Sequence, residues 1–271
     1  AQIVTDVADR ELMPICPLTT TVLDVVKETF SPVVLIASMA DGEQAFQLDR
    51  FGATKAKIAK TVTRRLKGPP LAVSADWARC IDEVLNSSAT DAEEARARQE
   101  KAAALQVLAQ SRLSVLVGSA GTGKTTLLKA LCNLPEIDAG GVLLLAPTGK
   151  ARVRMQQAIG REAETLAQFL LPIGRYDPDN GRYQPSERDA VQGARTIIVD
   201  ESSMLTEEQL AALLDGIGAY DRLILVGDHR QLPPIGAGRP FVDIISQLAS
   251  SNEVPPFPRV APGYAELTIP R

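Results

Sequence analysis

Leu113-Ser114-Val115-Leu116-Val117-Gly118-Ser119-Ala120-Gly121-Thr122-Gly123-Lys124-Thr125-Thr126 is the stretch that decides the fold. Leu113 to Val117 is an apolar run of strand length. Glycines at 118, 121 and 123 then interrupt it before a helical pattern resumes at Lys124. Gly118 to Thr125 matches the pattern Gly-x-x-x-x-Gly-Lys-Thr in full. Glycines let successive backbone N–H groups close around an anion, and the N-terminus of the following helix favours negative charge. The stretch therefore predicts a phosphate-binding loop between a strand and a helix. Gly118, Gly121, Thr122, Gly123, Lys124, Thr125 and Thr126 are its candidate ATP-binding residues. Lys124 is placed to reach the β- and γ-phosphates, and the Thr125 hydroxyl to ligate Mg²⁺.

Moving outward, the same alternation continues. Val142 to Ala146, Thr196 to Val199 and Leu223 to Val226 are short apolar runs that read as buried parallel strands. Helical patterns lie between most of them, around Lys124 to Leu131, Lys150 to Ile159 and Glu207 to Ile217. Thr206 with Gln209 forms a capping box for the last of these. The expected class is α/β, a parallel sheet flanked by helices. Arg175 to Gln184, with Asp179-Asn180-Gly181 at its tip, reads as an inserted hairpin.

The third of these strands ends in Asp200-Glu201. A buried strand delivers Asp200 to the Mg²⁺ shell and leaves Glu201 where a base orients an attacking water. Strand-end carboxylates beside an intact phosphate loop make a nucleotide hydrolase site, since ligands of open α/β sheets bind at the strands' carboxyl ends.

Residues 1–90 read as a small α+β accessory unit, with 91–271 as the nucleotide-binding domain. Val33 to Met39 and Glu43 to Leu48 are candidate strands around an Asp41-Gly42 turn. Ala53 to Leu66 is a basic helical stretch closed by Pro69-Pro70, and Ser74 is the expected cap of a short helix carrying Trp77 and Val84. Asp91 with Glu94 opens a helix running to about Gln110. The net charge of −4 argues against a general nucleic-acid coat and leaves room for a local groove. No apolar stretch approaches membrane-spanning length, and no signal-peptide pattern stands near Ala1. Cys16, Cys80 and Cys132 have no metal spacing and suit a reducing cytoplasm. A start at Ala1 without Met raises the expectation of a longer parent chain.

Two further segments say what such a site drives. Ala146-Pro147-Thr148-Gly149-Lys150-Ala151 follows the second strand, and Gly227-Asp228-His229-Arg230-Gln231-Leu232-Pro233 follows the fourth. With Asp200-Glu201-Ser202-Ser203-Met204 they resemble the ordered motifs of superfamily 1 helicases, closest to the RecD-like group, over about Gln99 to Arg271. That resemblance implies a RecA-like P-loop NTPase domain acting as an ATP-dependent DNA helicase or translocase. Gln99 is similar to the glutamine that reads adenine, and Gln231 to the one that senses the γ-phosphate. Pro147, Thr148 and Lys150 would line a track for single-stranded DNA. Asp228 would order the loop around Gln231, and His229, the only histidine, would be a loop residue beside it.

Ala163 to Phe169 resembles the family segment with a Thr-(Ile/Leu)-His core, but Ala167 stands at the histidine position, leaving Thr165 as the strand contact. The resemblance also expects a second RecA-like domain, beyond Arg271 or in a partner, to supply an arginine worth ~10³–10⁵ in phosphoryl-transfer rate. Slow turnover and no duplex unwinding are therefore expected of these residues alone. An RNA-acting relative, a nucleotide-gated switch and a small-molecule kinase are the rival readings. The Pro147-Thr148-Gly149-Lys150 segment favours the RecD-like side over the RNA-acting one. The kinase reading leaves the Gln231 segment unexplained.

Overall fold

The computed structural model describes residue 19, the backbone of 34–38 and 44–48, and residues 49–86, 89, 91–231, 233–248 and 256–270. The expected Asp41-Gly42 turn, Cys16 and Leu232 lie outside these. The chain divides into two compact units, residues 1–56 and residues 57–271. In the first, β1 (Val34–Ser38) and β2 (Gln44–Leu48) pair antiparallel with Ile36 opposite Phe46. Helix α1 (Asp49–Leu66) starts earlier than the expected Ala53, with Asp49 placing a negative charge in its first turn.

The second unit is built on a seven-stranded sheet. Its strands are β3 (Leu113–Gly118), β4 (Val142–Ala146), β5 (Glu164–Thr165), β8 (Thr196–Val199), β9 (Arg222–Gly227), β10 (Val260–Ala261) and β11 (Tyr264–Leu267). The spatial order is β10-β11-β3-β9-β8-β4-β5. All neighbours run parallel except the edge pair β10–β11. The four apolar runs read from the sequence are all strands of this sheet. Strand β11 was not anticipated: Tyr264 to Leu267 is too short and mixed to stand out alone, and it earns its place by pairing with β3 across a long sequence gap.

Helices α2 (Trp77–Leu85), α3 (Ala92–Gln110), α4 (Lys124–Cys132), α5 (Pro135–Ala139), α6 (Gly149–Ile159), α7 (Leu166–Leu170), α8 (Glu207–Gly216) and α9 (Pro240–Leu248) flank the sheet. Successive strand residues point to opposite faces, and each face has its own core. Leu116, Ile198, Ile224 and Val226 join Leu105, Leu128, Leu131 and Met155 of α3, α4 and α6. Val115, Val117, Ile197, Leu223 and Leu225 join Ile58 and Val62 of α1, Leu166 of α7, Leu210 of α8 and Phe241 of α9. A strand buried on both faces needs apolar residues throughout rather than alternation, which is why these runs read as continuous.

Local capping follows the sequence with one correction. The cap of α2 is Asp76, whose carboxylate accepts from the Arg79 N–H at 3.1 Å. Ser74 lies too far upstream, because a cap must immediately precede the first helical residue. Asp91 caps α3 by accepting from Glu94 N–H at 2.8 Å, and the Glu94 carboxylate also bonds Arg98. Thr206 and Gln209 form the expected capping box of α8. The inserted hairpin is β6 (Tyr176–Asp177) with β7 (Arg182–Tyr183), closed by Asp177 and Asn180 side chains that accept turn N–H groups. At its base Arg175, nearly fully buried, donates to Asp215 at 2.8 Å, and Lys57 pairs with the same carboxylate. Among the described residues no helix is long and apolar enough to cross a membrane.

Candidate functional site

Because the sheet is parallel, the carboxyl ends of β3, β9, β8, β4 and β5 lie along one edge. The candidate residues follow these strand ends in that order: the 118–125 loop, the 228–231 loop, Asp200-Glu201, Pro147-Thr148 and Thr165. Strand β9 separates β3 from β8, so the Gln231 loop emerges between the phosphate loop and the acidic pair.

In the phosphate loop, Gly121 and Gly123 have φ of 84° and 86°, a left-handed conformation that only glycine adopts without strain. Gly118 is required for a different reason. A Cβ there would stand 2.6 Å from Thr122 Oγ1 and 3.1 Å from the Leu267 carbonyl. Thr122 is buried and donates its hydroxyl to the Ser119 carbonyl at 2.9 Å, bracing the turn. Gly123 caps α4 without a side chain, leaving the first N–H groups of that helix facing the loop. Lys124 Nζ donates to the Gly118 and Ser119 carbonyls at 2.6 and 3.0 Å. Thr125 and Thr126 are half-buried in the first turn.

Asp200 is half-buried, and its backbone N–H donates to the Leu145 carbonyl, so β4 fixes its position. Burial raises its carboxyl pKa above the usual range. The Glu201 N–H, which donates to Asp200 Oδ1 at 2.9 Å, opposes that, and the Glu201 charge adds to it. The charges of Lys124 and Arg154 also reach Asp200 and act to lower its pKa. Arg154 was not picked from the sequence. Its signal was its position one helical turn beyond Lys150 on α6.

Glu201 has φ of 51°, a non-glycine residue held left-handed at a cost of ~1–3 kcal/mol. Strain of that kind persists only where the surroundings impose it. Here the short 3-10 turn Ser202–Met204 begins at once, with the Ser202 hydroxyl donating to the Val199 carbonyl at 2.7 Å. The backbone therefore turns sharply after Asp200.

Asp228 is buried and organises the next loop, its carboxylate accepting from Arg230 N–H and its carbonyl from Gln231 N–H. Gln231 and His229 are exposed on that loop. Gln99 is exposed on α3. Its neighbour Glu100 is fully buried and accepts from Thr268 N–H and Oγ1–H at 2.9 and 2.6 Å and from Ile269 N–H at 3.3 Å. The Gln99 segment is thereby tied to the carboxyl end of β11. Sequence reading did not find that carboxylate, since its partners lie far away in the chain.

Thr148 and Thr165 turn out to have the same local job. Thr148 Oγ1 accepts from Ala151 N–H at 3.2 Å as the cap of α6, and Thr165 Oγ1 accepts from Gln168 N–H at 3.1 Å in the capping box of α7. Each hydroxyl keeps its own proton to donate. The register Ala146↔Thr165 between β4 and β5 brings the two caps side by side. Pro147 is half-buried, Lys150 exposed and Ala167 half-buried on α7.

A protein-family model described as an AAA domain matches residues 94–261. The ATP-dependent RecD2 DNA helicase of Deinococcus radiodurans is 34% identical over 220 residues, covering 79% of this chain and 28% of that protein. The RecBCD enzyme subunit RecD of Mycolicibacterium smegmatis is 33% identical over 175 residues, covering 56% of this chain and 31% of the relative. The chain thus spans less than a third of the length of either. Among solved structures, one described as the structural basis for DNA unwinding at forked dsDNA by two coordinating Pif1 helicases aligns with a TM-score of 0.35 and 19% identity. It covers 73% of this chain and 44% of that one.

Proposed function

This chain belongs to the AAA-domain family of P-loop nucleotide hydrolases, and we propose that within it the chain is the ATP-binding RecA-like half of a superfamily 1 DNA helicase of the RecD-like kind. The observation that carries this reading is the convergence of the phosphate loop, Asp200-Glu201 and the Gln231 loop on three neighbouring strand ends, next to a pair of capped helix starts. The similarity to the RecD2 and RecD proteins supports it.

The donor set suits Mg²⁺. It offers a hydroxyl from Thr125 and a carboxylate from Asp200, both hard oxygen ligands of the kind that would hold Mg²⁺. Held by Thr125 and Asp200, such an ion would supply positive charge at the β- and γ-phosphates. The residues named above divide the remaining work. Lys124 and the backbone N–H groups of Gly121 to Thr126 hold the phosphates, Glu201 orients water, and Gln99 contacts the adenine. Gln231 bonds the γ-phosphate and registers its departure through the Asp228-braced loop. Thr148 and Thr165 donate their hydroxyl protons to the backbone of single-stranded DNA, with Pro147 and Lys150 alongside. The lost His at position 167 removes one contact from that track. An arginine from a second RecA-like domain completes the site, so slow turnover is expected without it.

The test is steady-state ATP hydrolysis by this chain and by a form extended beyond Arg271, each with and without single-stranded DNA or RNA, using Lys124→Ala as the blank. Stimulation of the extended form by DNA is the expected result. Stimulation by RNA alone would move the protein to the RNA-acting relatives. If neither form responds to nucleic acid while nucleotide still binds, a nucleotide-gated switch replaces the motor.

A further inference from the structure

The edge of the sheet opposite the nucleotide loops carries a concentration of arginines that the proposed chemistry does not use. Arg112 immediately precedes β3, Arg222 opens β9 and Arg195 immediately precedes β8. Those strands are adjacent in the order β3-β9-β8, so three guanidinium groups start from a row about 10 Å long at the usual strand spacing. The carboxyl end of α1 adds Arg64 and Arg65.

Arg65 lies across this row. Its guanidinium stacks on the Tyr220 ring at 3.5 Å from the centroid and donates to the carbonyls of Arg112, Tyr220 and Asp221 at 3.3, 2.8 and 3.0 Å. Arg222 is buried and donates to the Ala109 carbonyl at 2.8 Å. Both guanidinium groups donate to neutral carbonyls, and the Asp221 carboxylate offsets part of the Arg222 charge. Asp221 is ion-paired in this cluster to Arg195, and the charges of Asp221 and then Glu136 also act on Arg222. Burial depresses the Arg65 pKa, Tyr220 opposes that, and Arg64 and Arg112 depress it further. Arg64 is exposed. Two clefts of about 470 and 650 Å³ meet at Arg65, one walled also by Arg112 and Gln106, the other by Arg64 and Arg195.

Asp221 is the carboxylate that offsets this cluster at close range, against five arginines, and Arg64 keeps its charge exposed to solvent. Charges half-sheltered from water act over longer distances than fully solvated ones. A row about 10 Å long is matched by consecutive backbone phosphates, which rise 3.4 Å per nucleotide along one strand of a duplex.

We propose that this arginine-lined amino edge is a second nucleic-acid contact, one that grips backbone phosphates without reading bases and lies on the far side of the sheet from the ATP loops. The proposal rests on the nucleic-acid reading above, and its test separates the two. Binding of labelled single-stranded and duplex DNA to this chain is measured by anisotropy across a salt series, for the native sequence, Arg64→Ala, Arg64→Glu and Arg64→Lys. ATP hydrolysis without DNA is recorded alongside. Arg64 is solvent-exposed, so these variants keep the fold, and Arg112→Ala provides an independent second position.

The expected result is a salt slope flatter by roughly 0.7 for a single strand or 0.9 for a duplex per lost contact. Arg64→Glu weakens binding further, Arg64→Lys restores the slope, and DNA-free hydrolysis is unchanged throughout. DNA binding with an unchanged slope in Arg64→Ala, Arg64→Glu and Arg112→Ala overturns the edge contact and leaves the motor reading standing. Displacement of DNA by inorganic phosphate at matched ionic strength identifies a free-anion site instead and also overturns it. No DNA binding by the native chain overturns both.

Discussion

The two edges of one sheet solve opposite problems. At the carboxyl edge the backbone is held in conformations that cost energy, with Gly121 and Gly123 left-handed, Glu201 left-handed despite its side chain, and Asp200 half-buried and electrostatically strained. At the amino edge left-handed backbone falls on glycines, Gly141 and Gly263 among them, and side chains do the holding, with Arg65 and Arg222 spanning carbonyls from several elements. One edge spends stability on a site, and the other restores it by stitching strand starts to α1 and α3. Removing Lys124 at the carboxyl edge should therefore cost chemistry with little stability, and removing Arg65 at the amino edge the reverse.

The largest test of that contrast is Lys124→Ala. Loss of a preorganised charge at the phosphates is expected to lower ATP turnover by about 10²–10³-fold, with the thermal midpoint nearly unmoved. A large drop in the midpoint would break the contrast. Its counterpart is Arg65→Ala. Deleting charge-assisted hydrogen bonds to three carbonyls is expected to destabilise the fold by about 2–3 kcal/mol, read from denaturant unfolding, while nucleotide affinity measured on the folded protein stays the same.

Asp200→Asn sharpens the argument about strain. The Asp200 pKa in the folded protein lies above its ordinary value of 3.8, because of burial first and the Glu201 charge second. A raised carboxyl pKa means that the folded state binds the proton more tightly than the unfolded state. Asp200 therefore favours folding at acid pH, and that contribution disappears as pH rises from the unfolded value through the folded one. The Asn variant should lack this loss, so its stability relative to the native chain improves between acid and neutral pH while Mg²⁺-nucleotide binding weakens. A stability difference independent of pH would remove the electrostatic account. The smallest effect is Thr165→Ala, which deletes the cap of α7 and is expected to cost about 1 kcal/mol. Thr206→Ala, the equivalent box on α8 away from the proposed DNA track, should cost the same in stability and leave DNA affinity alone. If Thr165→Ala also weakens DNA binding, its hydroxyl serves both ends.

Much of this was written locally. Gly118 to Thr125, the apolar run ending in Asp200-Glu201 and the Thr206/Gln209 box are short-range patterns, and each specifies its own backbone before any tertiary contact forms. The strands of the central sheet were equally legible, because burial on both faces demands unbroken apolar runs. The Ser74 expectation failed on a local point as well: Asp76, two residues on, is the residue adjacent to the helix start. Thr148 and Thr165 are expected as strand contacts by resemblance, yet their shared role as helix caps became visible only once the helix boundaries were known.

The sequence by itself carried the phosphate-loop pattern and the strand-end carboxylates from which the nucleotide site is proposed, because both are defined by spacing within a few residues. Only the tertiary structure decided strand order, and with it that Gln231 emerges between the phosphate loop and Asp200, that β11 pairs with β3, and that Glu100 holds Thr268 and Ile269. It alone brought Arg64, Arg65, Arg112, Arg195 and Arg222 to one edge. The physical reason is the same in each case: parallel strands need long crossovers, so residues that are neighbours across the sheet are remote in the chain, and no local pattern records their meeting.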